Sequence, residues 1–437
     1  MSIKRILFYP KSTLETKSIS VKKINAEVIS IIQDLVDTLY STTGVGLSAP
    51  QIGINKRIFI YDHNRVGSSA DKNYKVLIDP KIIFTGETKQ SNCEGCKSLP
   101  GFFIHVPRYE EITLKGINEK GEKISIHAQG FEARVLQHEL EHVDGKMIFQ
   151  NQEINSERAN AYHWYLSNLQ DILEKIEFLK DFQDGIIFEK SFQTNKILVI
   201  KNGSQIQLFF SKDPEGKSLT GIMSRIDILN PLNLLGKYTQ AMTLVLLWTE
   251  NPTKIYILGF GGGRLGMFFH HYFPEVIIES TETDSDVVEI SQKYFGIHFD
   301  KRMKVSTEDG KLFLEKSKEK FDIILLDAYD NSGTFPQHLS NSEFYSVCKK
   351  SLSYNAVISI NLNVSDPMLE EKILLFTKYF KSTYKYLDDD SCVLLGADSD
   401  VISTEELAKR ASILNDKYCF LFPFVENAKK LKVIKNF

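Results

Sequence analysis

The periodicity of this chain changes character along its length, and no single sheet or bundle can carry both patterns. Up to Gly145 it consists of short β-rich runs, such as Arg57-Ile58-Phe59-Ile60-Tyr61 and Lys75-Val76-Leu77-Ile78-Asp79, set between turn signals. An amphipathic stretch from Ile24 to Leu39 places Ile24, Val28, Ile31, Ile32, Leu35 and Leu39 at helical spacing, and a second helical segment surrounds His138. From Lys237 onward strand and helix patterns alternate, the signature of a parallel sheet covered on both faces. Between these parts, Ser156 to Phe182 reads as a long helix with Trp164, Leu169, Ile172, Leu173, Ile176 and Leu179 on one side. β-rich segments with turns at Thr194-Asn195 and Asn202-Gly203 follow from Gly185 to Phe210. A length of 437 residues exceeds one ordinary domain. The expected multidomain order is an α+β domain over 1–150, a helical connector over 151–183, a small β-rich portion over 184–236 and an α/β domain over 237–437.

Composition narrows the functional classes. A hydrophobic content of 42% with 25% charged residues is that of a globular protein with ordinary cores. The formal net charge of -3 gives no electrostatic reason to expect nucleic acid or an anionic membrane as the main partner. No apolar run approaches the length that crosses a bilayer, and Met1 to Leu7 lacks the apolar core and cleavage site of a signal peptide. The expected location is the cytoplasm.

Three segments of the first domain, far apart in sequence, each offer parts of one active site. Gln137-His138-Glu139-Leu140-Glu141-His142 puts two imidazoles one helical turn apart on one face, where both can reach a single cation. Glu139 points to an adjoining side, free to serve as a general base. Glu94-Gly95-Cys96-Lys97-Ser98 adds a thiolate candidate in a tight backbone. Gly44-Val45-Gly46-Leu47-Ser48-Ala49-Pro50-Gln51 gives a glycine-permitted turn that ends in an amide. Taken alone, the histidine pair also fits a solvated helix face or a metal-dependent peptidase. Cys93-x-x-Cys96 has the ligand spacing of a closed structural zinc site with the two histidines.

The three motifs together, in this order, resemble those of peptide deformylase: a G-x-G-L-A-A-P-Q loop, an E-G-C-L-S segment and a Q-H-E-x-D-H helix. Pro10, Val106-Pro107-Arg108 and Gly130-Phe131-Glu132-Ala133-Arg134 extend the resemblance over about residues 1 to 150. It implies an α+β metallohydrolase in which Cys96, His138 and His142 bind one divalent ion, with Fe2+, Zn2+, Ni2+ and Co2+ all suited to that donor set. It also implies Glu139 as general base, with Gln51 and the backbone N–H of Lys97 as oxyanion donors. Val45, Gly46, Phe131 and Val135 would receive the substrate's methionine. Three positions depart from the family pattern. Lys97 replaces a leucine, Ser48 an alanine, and Glu141 an aspartate whose longer carboxylate could still orient a ligating imidazole.

In the second half, the apolar run Lys254-Ile255-Tyr256-Ile257-Leu258 leads into Gly259-Phe260-Gly261-Gly262-Gly263, a cluster that lets the chain turn tightly from strand to helix. Glu282, Asp309 and Asp327 then stand at or just beyond the ends of three successive strand patterns. Carboxylates so placed face the crevice where an open α/β sheet binds its ligand. The series resembles spermidine synthase and its relatives within the S-adenosylmethionine-dependent, Rossmann-like methyltransferase fold, over roughly Gly185 to Leu395. Other residues that carry the likeness are Tyr238, Thr283-Asp284, Gly310, Ala328 to Asp330 and Phe344-Tyr345.

That resemblance implies cofactor contacts from Gly259, Gly261 and Gly263, ribose binding by Glu282, adenine binding by Asp309, and an amine acceptor in Asp327 with Asp330. The cofactor would be S-adenosylmethionine or a decarboxylated or thioether relative. Gly262 stands where the family has an acidic residue, Tyr238-Thr239-Gln240 replaces Y-H-E, and Asp327 to Gly333 keeps only part of D-x-x-D-P-x-G-P. Arg264, next in line, is expected to favour a ligand that retains its carboxylate.

The leading functional expectation is metal-dependent removal of N-formyl groups from the methionine of nascent peptides near the ribosome, releasing formate. Two alternatives belong to other classes. One is an aminopropyl- or methyltransferase acting through the second domain, and the other a nucleoside-binding domain that regulates the hydrolase.

Overall fold

The computed structural model describes residues 3–42, 44–65, 72–150, 167–192, 195–211, 219–329 and 333–434. The chain divides into two compact units, Met1–His163 and Trp164–Phe437.

In the first unit, helix α1 (Ala26–Tyr40) starts where the Asn25 side chain accepts the Val28 N–H. Seven strands follow: β1 (Gly46–Ser48), β2 (Ile58–Tyr61), β3 (Lys75–Thr85), β4 (Lys89–Cys96), β5 (Leu99–Tyr109), β6 (Glu111–Ile117) and β7 (Lys123–Gln129). Helix α2 (Gly130–Val143) comes next. The main sheet has the order β1-β2-β3-β6-β7, so β1 lies at its edge, while β4 and β5 form a separate hairpin.

The alternation of β2 explains the layering. Ile58 and Ile60 join a core with Val28, Ile31, Ile32 and Leu35 of α1. Phe59 and Tyr61 join a second core with Val135, Leu136, Leu140 and Val143 of α2. Successive side chains of a strand point to opposite faces, so four consecutive buried residues serve two helices on opposite sides of one sheet.

The second unit begins, among described residues, with a helix over 167–176 (α3). The part of the expected helix over 156–166 falls outside the described residues. A four-stranded antiparallel sheet follows, in the order β11-β10-β9-β8, from β8 (Gly185–Phe192), β9 (Asn195–Asn202), β10 (Gln205–Ser211) and β11 (Leu219–Asp227). After α4 (Lys237–Met242) the chain alternates β12 (Lys254–Leu258), α5 (Arg264–Tyr272), β13 (Ile277–Glu282), α6 (Ser285–Tyr294), β14 (Met303–Thr307), α7 (Gly310–Lys316) and β15 (Phe321–Leu326). It continues with α8 (Ser342–Ser351), β16 (Leu352–Asn363), α9 (Leu369–Thr377), β17 (Ser382–Leu387), β18 (Ser391–Ala397) and, near the end, β19 (Lys432–Ile434).

These strands form one eight-stranded sheet, β14-β13-β12-β15-β16-β18-β17-β19. Its first five strands pair in parallel, as the alternating pattern predicts. The last three add antiparallel pairings to that parallel part, so the sheet is mixed. For β17 and β18 the cause is local: only Asp388, Asp389 and Asp390 separate them, too few residues for a crossover. The core beneath includes Tyr256, Ile324, Leu326, Phe344, Tyr345 and Phe376, all fully or nearly fully buried.

Candidate functional site: a metal centre on helix α2

The spacing within α2 sets the site. His138 and His142 lie one turn apart with ring centroids 5.0 Å from each other. Cys96, the last residue of β4, brings Sγ to 3.1 Å from Nε2 of His142. One donor atom from each of Cys96, His138 and His142 lies within 4.8 Å of the others. Cys93 is not among that group, which leaves the closed four-ligand alternative without its fourth ligand.

The Cys96 thiol is held well below its ordinary range. Burial opposes ionisation, but His142 and His138 beside the sulfur outweigh it. The ligating thiolate is therefore the favoured form.

Glu94 fixes the orientation of His138. Its Oε2 lies 3.2 Å from His138 Nδ1, which leaves the opposite ring nitrogen for the metal group. Glu94 is itself clamped: Arg108 donates from Nε at 3.0 Å and from a terminal nitrogen at 2.9 Å, and Arg134 donates to Oε1. Burial works to raise the Glu94 carboxyl, yet the bonds from His138 and Arg108 hold it at about 2. Glu141 does not take the orienting role expected of it. Its Oε1 pairs with Arg108 at 2.6 Å, and no bond joins it to either ligating ring. The longer side chain reaches outward to the arginine that Glu94 already holds.

Glu139 is 4% exposed, and its Oε2 has no hydrogen-bond partner among the described residues. Burial raises its carboxyl, opposed by the positive charges of His138, His142 and Lys97. Gly46 makes room for it, because a Cβ at that position would fall on Glu139 Oε1. A buried carboxylate without a partner costs stability, so its retention beside three converging donors is an observation about chemistry. The thiolate, the two imidazoles and this carboxylate fit a divalent cation with an attendant base.

Gln51 owes its position to a capping box. Ser48 N–H donates to Gln51 Oε1 at 2.9 Å and the Ser48 hydroxyl donates to the same oxygen at 3.0 Å, at the start of a short 3-10 turn, Ala49–Ile52. The carbonyl end is thus used up by the backbone N–H and hydroxyl of Ser48. The amide N–H2 end points into the centre, donating to Ser98 Oγ at 3.3 Å and lying 3.8 Å from Cys96 Sγ.

Lys97 extends its side chain from the β4–β5 turn to the Gly46 carbonyl, 2.9 Å away. Burial lowers the basicity of its amine, while Glu139 and Cys96 nearby raise it. Among the expected pocket residues, Val135 is buried, Val45 packs at the edge of the same core, and Phe131 is 58% exposed in the first turn of α2.

The residues expected to bind a nucleoside in the second unit lie at the strand ends, and most are engaged with the protein itself. Gly259, Gly261 and Gly263 take φ of 86°, 52° and 67°, the left-handed turn for which glycine was expected. A Cβ on Gly261 would meet open space, so a ligand can approach there. Glu282, however, accepts from four backbone N–H groups: Phe260 and Gly261 on one oxygen, Thr283 and Asp284 on the other. Asp309 caps α7 through the Leu312 N–H and lies 3.2 Å from His338 Nε2.

Asp327 accepts from Asn361 at 2.9 Å, and burial pushes its carboxyl up to about 7 against that bond. Asp330 lies outside the described residues. Arg264 overturns its expectation. It is 5% exposed and donates to the backbone carbonyls of Pro231 and Asn233, and burial lowers its guanidinium to about 10. As the first residue of α5 it turns to the carbonyls that follow β11 and does not present a charge to the loop.

A cysteine, two histidines and a buried unpaired glutamate define a metal-dependent hydrolase centre in the first unit. Residues 3–158 match the family model described as polypeptide deformylase, and residues 237–374 match the spermine/spermidine synthase domain. A peptide deformylase of Pseudothermotoga lettingae is 39% identical over 146 residues, 33% of this chain and 81% of that protein. Those of Thermodesulfovibrio yellowstonii and Clostridium botulinum are 36% and 39% identical over 148 residues, 34% of this chain and 88% and 95% of theirs. Through its N-terminal unit the chain belongs to the peptide deformylase family, and it carries this domain fused to one of the spermine/spermidine synthase family.

No helix among the described residues is long and apolar enough to cross a membrane.

Proposed function

We propose that the N-terminal unit removes the formyl group from N-formylmethionyl peptides by metal-dependent hydrolysis, with nascent chains near the ribosome as its substrates. The observation that carries this reading is the convergence of Cys96, His138 and His142 within 4.8 Å, beside the unpartnered carboxylate of Glu139. A divalent ion held by these three side chains would supply the Lewis acidity that activates water at neutral pH.

The chain's own residues do the rest. Glu139 takes the proton of the attacking water and delivers it to the departing amine, giving formate and a free N-terminus. The Gln51 amide, locked by Ser48, donates to the oxygen that becomes negative as the formyl carbon turns tetrahedral. The backbone N–H of Lys97 would take the same role, and Val45, Gly46, Phe131 and Val135 would surround the methionine side chain. Formate release from formyl-Met-Ala-Ser, with and without a chelator and with Glu139→Ala, tests the reading. Release that is indifferent to both would overturn it.

For the second unit we infer a nucleoside crevice at the carboxyl ends of β12 and β13, supported by the open approach at Gly261. S-adenosylmethionine or a relative would have to exchange its ribose hydroxyls for the backbone N–H groups on Glu282.

A further inference from the structure

Strand β1 carries a backbone acceptor that the fold does not use for pairing. Val45 gives its carbonyl to the Asp62 N–H at 2.7 Å, on the β2 side. Carbonyl direction alternates along a strand, so the next one, from Gly46, points away from β2 toward the free edge of the sheet. An extended peptide that added itself to this edge would place a main-chain N–H on that oxygen. The oxygen is already taken by the Lys97 ammonium at 2.9 Å, reaching over from the β4–β5 turn. Gly44 is pressed against the same side chain, since a Cβ there would collide with Lys97 Nζ.

A second cation adjoins the loop. Arg65 donates to the carbonyls of Leu39, Thr42 and Gly44 and stacks over Tyr40 at 4.8 Å. Among the described residues neither Lys97 nor Arg65 has a carboxylate within ion-pairing distance. The edge on which a peptide would lie is therefore lined by two cations whose hydrogen bonds go to neutral carbonyls, with Glu139 and Cys96 acting on Lys97 through charge alone.

We propose that Lys97 is a specificity-determining residue that makes this hydrolase favour formyl-Met peptides with an acidic residue directly after the methionine. The proposal rests on the deformylase reading of the first unit. Docking the peptide main chain takes the Gly46 carbonyl from the ammonium, which then needs another partner. A carboxylate on the incoming peptide provides one, whereas a lysine in the same place adds repulsion. The ammonium sits on the carbonyl of Gly46, itself an expected methionine-pocket residue, so its charge falls on the side chain next to the methionine.

The test compares formate release from formyl-Met-Asp-Ser, formyl-Met-Ala-Ser and formyl-Met-Lys-Ser by the wild type, Lys97→Met and Lys97→Arg. The wild type should show kcat/KM about tenfold higher for the aspartyl than for the lysyl peptide, carried by KM and reduced by salt. Lys97→Met should bring that ratio close to unity, and Lys97→Arg should preserve it. Calorimetric binding of the deformylated peptides Met-Asp-Ser and Met-Lys-Ser should follow the same order, independently of turnover. A ratio unchanged in Lys97→Met, or no preference in the wild type, overturns the proposal. If the wild type releases formate from none of the three, the hydrolase reading fails instead, and the calorimetric order still decides the role of Lys97.

Discussion

Replacing Glu94 with glutamine should loosen helix α2 and its metal site together. The carboxylate is 8% exposed, receives two bonds from Arg108 and one from Arg134, and faces His138 Nδ1. Its carboxyl moves from an ordinary value of 4.5 when unfolded to about 2 when folded, which corresponds to about 3 kcal/mol of stabilisation. The folded value is the lower one, so this stabilisation is fully present above 4.5 and is lost as the pH falls toward 2. Glutamine keeps the shape but leaves two buried guanidinium groups facing a neutral amide, a change of about 3–5 kcal/mol for a broken buried pair.

Hydrogen exchange on peptides covering 130–143 in the metal-free full chain measures the effect without requiring the two units to unfold together. A loss of about 3 kcal/mol means exchange on the order of a hundredfold faster. Chelator competition should show metal affinity reduced about 10- to 100-fold, because His138 loses its orienting partner. Unaltered protection of α2 with unaltered metal affinity would refute the reasoning.

Gln51→Ala should lower kcat by about a hundredfold or more while metal content, measured by elemental analysis, stays at the wild-type level. Gly46→Ala puts a methyl on Glu139 Oε1, so it should reduce kcat sharply and spare the three metal ligands, which chelator competition can verify. Arg264→Met removes a guanidinium that donates to the backbone carbonyls of Pro231 and Asn233 and to the Met267 sulfur. Calorimetry should find the preference between S-adenosylmethionine and its decarboxylated form unchanged, with a stability change within about 1–3 kcal/mol by thermal unfolding.

The metal site was legible because each part lies in a contiguous motif whose geometry is local. The i, i+4 pair on α2 and the Ser48–Gln51 box both arise within one turn of chain. The clamp on Glu94 was not legible. Its partners lie 14, 40 and 44 residues away, so only the folded hairpin and α2 bring them together. The direction of Arg264 was misread for a related reason. Sequence placed it after the glycine cluster, but the carbonyls that receive it come from Pro231 and Asn233, in a segment with no pattern of its own. The antiparallel pair β17–β18 follows from a three-residue connection that the alternating pattern upstream obscured.

The four main-chain bonds on Glu282 mean that the second unit satisfies this crevice carboxylate without any visitor. Such a crevice folds whether or not it is ever filled, so selection for a stable domain does not require selection for a reaction.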